Sequence, residues 1–227
     1  MRTVTIVAMS DTHNHHEGVP LPAGDVLVHC GDSTLKGRPG ELASFLAWFA
    51  RTPFEHRVLI GGNHDWALEA GEVPIPPGVT YLNGQAAEVA GLRFFGAAWR
   101  ARPPWVKRDD QGNIRQGRYS AFGVMLDEVE DHWARIPERT DVVVTHVPPL
   151  GLMDLGPVDP DGVQRRRGCS ALLARLRQVR PRLHLFGHNH HETGLRVVEG
   201  TTHVNAALLD DEYRLVRPPV VLELEAR

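Results

Sequence analysis

The chain has 227 residues, 42% hydrophobic and 23% charged, and its 25 Lys and Arg against 28 Asp and Glu leave a net charge of −3. A globular chain of this length removes roughly 70% of its unfolded surface from water, and the charge balance excludes a whole-molecule cationic nucleic-acid binder. Two cysteines exclude a disulfide framework or a Cys-rich zinc module, and the longest apolar runs fall far short of the ~20 residues of a membrane span.

Residues 3–9 (TVTIVAM), 25–29 (DVLVH) and 57–60 (RVLI) are short, β-branched apolar runs and predict buried strands. Between the last two, residues 41–50 (ELASFLAWFA) carry Leu42, Phe45, Leu46 and Phe49 at helical spacing. Pro39-Gly40 precedes that helix and Pro53 stops it. Residues 85–89 and 92–97 flank Ala90-Gly91 and predict a hairpin. Residues 99–116, rich in Pro, Arg and Gly, predict a long loop, and residues 120–135 a helix. Residues 141–145 (DVVVT) predict another buried strand, and residues 147–167 a second long loop, of the kind that is functional in compact domains. A helix over 169–179, a strand over 182–186, a hairpin over 195–198 and 203–206, and a last strand over 219–224 complete the pattern. The strand–helix–strand alternation predicts an α/β layered fold. No composition shift divides the chain, so one domain over 1–227 is expected. The N-terminus has no signal-peptide pattern, and a reducing cytoplasmic setting is expected.

Of thirteen histidines, nine fall in tight groups beside Asp and Asn. Five motifs follow predicted strands: Asp11-Thr12-His13, Gly31-Asp32, Gly62-Asn63-His64-Asp65, Thr145-His146 and Gly187-His188-Asn189-His190. In α/β sheets the carboxyl ends of strands converge on the ligand crevice. Residues two apart in extended chain point to one side, so Asp11 with His13, and His188 with His190, can present paired ligands. Alone, each motif also reads as a cap or turn; their conjunction in this order reads as a metal site. The ligand set is Asp11, His13, Asp32, Asn63, His146, His188 and His190. That is too many groups for one catalytic ion and suits two ions sharing a bridging carboxylate. Mixed N/O ligation without thiolate suits Mn²⁺, Fe or Zn²⁺ better than Ca²⁺ or Mg²⁺.

These motifs resemble the five-part signature of the calcineurin-like metallophosphoesterase superfamily: D-x-H, GD, GNH-D/E, H and GHxH. The likeness extends from Val4 to about Asn205. Residues 145–151 (THVPPLG), Gly168-Cys169 and the segment from Gly96 to Trp99 resemble the class III phosphodiesterase branch, which includes animal metallophosphoesterase-domain-containing proteins. Some of those animal members lack the first His of GHxH, which here is His188. The resemblance implies an α/β four-layer sandwich, with two mixed β-sheets packed face to face between helices. It implies that Asp11, His13 and His190 hold one divalent ion, Asp32 bridges, and Asn63, His146 and His188 complete a second. His64 is then the general acid on the leaving oxygen, with Asp65 orienting its ring. The expected cofactor is a pair of divalent ions, Mn²⁺ first, with Fe, Zn²⁺, Ni²⁺ or Co²⁺ as alternatives. A hydroxide shared by the ions is the expected nucleophile.

The expected activity is hydrolysis of small phosphodiesters or cyclic nucleotides. A phosphomonoesterase or phosphoprotein phosphatase with the same metal core is the alternative. A non-catalytic scaffold should have lost ligands, and this chain has lost none. The expected partner is a small phosphoester substrate, nucleotides included; nucleic acid is not indicated, nor are a membrane and an obligate protein partner. Arg165-Arg166-Arg167 reads either as a phosphate contact or as a solvated face. Trp99 and Trp105 could stack a nucleobase or pack in the core. His15 and His16 read as loop surface or cleft lining, Cys30 as a small buried hydrophobe, and Asn205 as a support of the metal site or a turn residue.

Overall fold

The computed structural model describes residues 2–103, 106 and 120–226. Its first half runs β1 (Thr3–Met9), β2 (Val26–His29), α1 (Pro39–Arg51), β3 (His56–Leu59), α2 (Trp66–Glu69) and β4 (Val79–Tyr81). There follow β5 (Gln85–Val89), β6 (Leu92–Ala97), β7 (Arg100–Ala101), β8 (Gly123–Val124), α3 (Val129–Ala134) and β9 (Val142–Thr145). The remainder is β10 (Leu155–Val158), β11 (Gln164–Arg166), α4 (Ser170–Val179), β12 (Leu183–Phe186), β13 (Gly194–Val198), β14 (Thr201–Asn205) and β15 (Val220–Glu225).

Two mixed sheets form the centre. One has the order β15-β1-β2-β3-β4 and the other β13-β14-β12-β9-β6-β5. In the first, β1 to β4 are parallel and β15 closes the edge antiparallel. In the second, β14, β12, β9 and β6 are parallel and both edge strands antiparallel. Parallel strands covered on both faces are buried at every position, so VLVH, VVVT and LHLF are mostly apolar, and their polar members His29, Thr145 and His184 are hydrogen-bonded. Successive residues serve opposite faces. Ile6, Val28 and Val58 pack against Phe94, Val144 and Leu185 of the facing sheet. Their neighbours Val7, Leu27 and Leu59 pack on Leu42, Phe45 and Phe49 of α1. Phe95 and Val143 face outward onto Trp133 of α3 and Leu172 and Leu176 of α4. Helix, sheet, sheet and helix thus stack in four layers. Each fully buried Leu or Phe contributes about 1.5–3 kcal/mol. No helix among the described residues is long and apolar enough to cross a membrane.

Two sequence expectations need correction. Residues 120–135 are helical only from Val129. Ahead of it, Ala121 N donates to Asn63 O at 3.0 Å and Phe122 N to the Glu69 carboxylate at 2.6 Å, and Gly123–Val124 pairs with β7. Those long-range bonds draw the segment across the strand ends, and Phe122 turns it with φ 53°. Residues 147–167 are not a plain loop, because β10 and β11 form an antiparallel hairpin within them. Of the two readings of Trp99, the core one holds: it packs against Phe95 and Trp133. Trp105 and most of the 99–116 loop lie outside the described residues.

Candidate metal centre

The carboxyl ends of β1, β2, β3, β9 and β12 open on one cleft of about 300 Å³. His13, Asp32, Asn63, His64, His188 and His190 line it. Two groups of ligand atoms gather there, Asp11 with His13 and His190, and Asp32 with His146 and His188. Each group draws side chains from both sheets. Asn63 joins the second, its Oδ1 lying 3.0 Å from His146 Nε2. All seven sequence-predicted ligands are therefore together.

The turns that deliver these side chains are unusual. Asp11 (φ 56°), His13 (φ 39°), Asp32 (φ 55°) and His188 (φ 67°) all adopt left-handed backbone. Each such residue costs about 1–3 kcal/mol. The loops after β1 and β2 hold one another there: Asp11 N, His13 N and Asn14 N donate to Gly31 O, Asp32 O and Ser33 O at 2.9–3.1 Å. Glycine is required at position 187, where a Cβ would collide with Ser10 Oγ and the Asp11 carboxylate. It is equally required at position 62, where a Cβ would meet the Asp32 amide and carboxylate.

Three imidazoles are aimed by carbonyls. His13 Nδ1 donates to Thr34 O at 3.0 Å, His146 Nδ1 to Cys30 O at 2.9 Å and His190 Nδ1 to Asp210 O at 2.9 Å. This fixes each Nε2 as the atom facing the cluster, the arrangement that outer partners impose on metal-bound histidines. His13 Nε2 is buried with no hydrogen-bond partner. It stands 3.7 Å from Asp32 Oδ2 and 3.9 Å from Asp11 Oδ1, too far for a hydrogen bond. His146 Nε2 lies 3.2 Å from Asp32 Oδ2, and His190 Nε2 3.3 Å from Asp11 Oδ1. An unpartnered buried imidazole nitrogen aimed between two carboxylates, beside two groups of imidazole and carboxylate atoms, is a donor set that fits a metal pair.

The electrostatics agree. Burial alone would raise the Asp11 and Asp32 carboxyls, but His190 and His146 outweigh it and hold both below the usual carboxylate range. Burial opposes charge on His146, yet Asp32 lifts it to about 9. Burial likewise opposes charge on His190, and the hydrogen bond to Asp11 raises it. Burial pushes His13 and His188 down. Without an ion the cluster keeps protons between its imidazoles and carboxylates, which a metal would displace.

His64 lines the cleft beside His13, with ring centroids 4.8 Å apart. Its amide donates to Asp32 Oδ1 at 2.8 Å and its Nδ1 to Leu35 O at 2.7 Å. The expectation that Asp65 orients this ring is corrected. Asp65 instead accepts from Ser33 N, Ser33 Oγ, Thr34 N, Thr34 Oγ1 and Gly62 N at 2.8–3.2 Å, tying the Asp32 turn to the Asn63 turn. Its carboxylate is wholly buried, so every lone pair goes to those donors.

Other candidates sort clearly. Asn205 donates to Asn189 O and Glu192 O at 2.8 and 2.7 Å, bracing the turn that carries His188 and His190. His15 is exposed, and His16 packs on Phe45 and Trp48, away from the cleft. Cys30 is buried between the sheets. The carbonyls of Thr34, Leu35 and Asp210 carry no sequence signal. Tyr213, edge-on to His13 and His190 at 4.9 and 5.2 Å, has none either.

Residues 4–192 match the profile of the family described as calcineurin-like phosphoesterase. Human metallophosphoesterase domain-containing protein 1 is 32% identical over 248 residues, covering 96% of this chain and 70% of its own. UPF0046 protein C25E10.12 of Caenorhabditis elegans is 34% identical over 243 residues, covering 97% of this chain and 81% of its own. TT1561 of Thermus thermophilus shares the fold, with TM-score 0.60 at 12% identity over the whole of both chains. With that profile spanning most of the chain and both ligand groups assembled, the protein belongs to the calcineurin-like phosphoesterase family of metal-dependent phosphoester hydrolases.

Proposed function

We propose that the protein is a phosphodiesterase acting on small phosphodiesters, with His64 as general acid. Asp11, His13 and His190 would hold one divalent ion, and Asn63, His146 and His188 the second, with Asp32 between them. When bound, the ions supply neutralisation of phosphoryl charge and an acidified water at neutral pH. Asp32 is suited to bridging, because its Oδ1 is taken by the His64 amide while its Oδ2 faces both His13 and His146. With His64 Nδ1 committed to the Leu35 carbonyl, Nε2 is the atom left to protonate the leaving oxygen.

The observation that carries the diester reading is a second hollow of about 430 Å³, which shares His188 with the cleft and has walls of Ala101, Leu126, Val129 and Val147. A monoester has no second organic arm to place there; a diester has. The test compares kcat/KM for bis(4-nitrophenyl) phosphate and 4-nitrophenyl phosphate with Mn²⁺ first, then Ni²⁺, Co²⁺, Zn²⁺ and Mg²⁺. The diester is expected to be preferred with Mn²⁺. A monoester preference of about tenfold or more with every metal would replace the diesterase by a phosphatase.

A further inference from the structure

Two of the three consecutive arginines are committed. Arg165 pairs with Asp159 at 2.6 Å and Asp161 at 2.7 Å, and Arg166 pairs with Asp154 at 2.5 Å. Arg167 has no carboxylate partner among the described residues, and its side chain is exposed. Its backbone is nevertheless pinned: Arg167 N donates to Asp154 O at 2.8 Å, and the next amide, Gly168 N, to Asp154 Oδ2 at 3.3 Å. The guanidinium lies across Gly156 of β10, where a Cβ would stand 2.5 Å from Nε and 2.8 Å from Cζ. There it lines both the metal cleft and the second hollow, on the ridge between them. Arg100 adds a second guanidinium to the wall of that hollow.

A guanidinium forked on a pinned backbone, with no carboxylate partner among the described residues, is built to grip an oxyanion in two-point fashion. The metal ligands already serve the scissile phosphoryl group, so this charge is left over for something else on the substrate. We infer that the second hollow receives the retained arm of the diester and that Arg167 binds an anionic oxygen group on that arm. The favoured substrates are then phosphodiesters whose non-leaving substituent has an apolar body and its own carboxylate or phosphoryl charge. Leu126, Val129 and Val147 contact the body, and Arg167 the charge. This rests on the diesterase reading above.

The test uses 4-nitrophenyl phenyl phosphate and its analogues with a 4-carboxyphenyl or a 4-phosphonophenyl arm, which share one leaving group. The ratio of kcat/KM between charged-arm and neutral-arm esters is expected to be about tenfold or more in the wild type, as a charge-assisted contact implies. In Arg167→Ala that ratio falls to about one, and Arg167→Lys keeps part of it. Gly156→Ala retains the charge but displaces the guanidinium, so the ratio falls there too; a purely structural role for Arg167 would leave it unmoved. A wild-type ratio near one, or an equal loss on both esters in Arg167→Ala, overturns the inference; the latter would place Arg167 on the scissile group. The larger of the two charged-arm ratios identifies the preferred anion. Calorimetric binding of phenylphosphonate and 4-carboxyphenylphosphonate to the Mn²⁺-loaded protein gives a readout independent of turnover. Tighter binding of the carboxylated ligand, lost in Arg167→Ala, supports the inference; equal Kd values in the wild type refute it. Failure of every ester to turn over would sink the diesterase reading instead.

Discussion

Replacing Asp65 by Asn separates two roles for one carboxylate. The side chain is isosteric, so packing is kept and only charge and acceptor capacity change. Five donors reach Asp65, three of them backbone amides. The hydroxyls can turn elsewhere, and Thr34 Oγ1 already has His64 O at 3.0 Å. The amides cannot. If the Asn oxygen stays at the Oδ1 position for Thr34 N, its NH2 confronts Ser33 N and Gly62 N, which bond Oδ2. A buried donor without a partner costs about 1–3 kcal/mol, so the pair should cost about 3 kcal/mol or more. For a chain of this size that lowers Tm by roughly 6–12 °C. Thermal unfolding of metal-free Asp65→Asn measures it without interference from ion binding. Looser metal binding should accompany the loss, since the affected amides hold the turns that present Asp32 and Asn63. If Asp65→Asn melts within about 2 °C of wild type while turnover of poor leaving groups collapses, Asp65 acts on His64 after all and the reasoning is wrong.

His64→Ala should retain about two ions per chain by elemental analysis, while turnover of esters with poor leaving groups falls by roughly 10²–10⁴-fold. Loss of both ions would make His64 a ligand. A third expectation concerns acid. His184 Nε2 donates to Thr145 Oγ1 at 2.9 Å, because that hydroxyl donates to Val147 O. His184 Nδ1 must therefore accept from His203 Nδ1, 3.1 Å away, and a proton taken up by His184 would set two donors face to face. Burial drives His203 down to about 4 and holds His184 well below its usual value. The folded state thus binds fewer protons than the unfolded chain. This stability is complete above about pH 6.5 and falls away towards about pH 4. Urea unfolding of metal-free protein across that window should show a shallower pH slope in His203→Gln than in wild type, by about one proton; identical slopes would show that the pair does not govern acid sensitivity.

Legibility in the sequence follows the range of the interactions. The hairpin of β5 and β6 is readable residue by residue because its turn is local: Ala90 and Gly91 both take positive φ, as a type I′ turn demands. The face of α1 is readable because Leu42, Phe45, Leu46 and Phe49 repeat with the helix period. The ligand motifs are readable because strand ends deliver them in short strings. The β10–β11 hairpin is not, since Gln164, Arg165 and Arg166 are all exposed and no apolar alternation marks a strand. Charge pairs with Asp154, Asp159 and Asp161 hold that hairpin's arginines instead. Asp65 misleads because four of its five donors lie about thirty residues away at 33 and 34, whereas its sequence neighbour His64 invites a local story. The left-handed turns at Asp11, Asp32 and His188 are also hidden, since nothing in Asp or His demands positive φ.

Because each ligand group takes side chains from both sheets, an ion in this cleft is a clasp between the two central layers. Removing it leaves that end of the sandwich joined by its apolar contacts and a few histidine–carboxylate bonds. Adding it ties the layers together, and at a thousandfold excess over Kd one ion contributes about 4 kcal/mol against unfolding. The tie also has an order in time. Asp11 and His190 are 179 residues apart in the chain, so the first ion can be gripped fully only after β1 and β12 have both found their places. Metal capture would therefore follow the docking of the two sheets, and a chain cut short before His190 could never close the clasp.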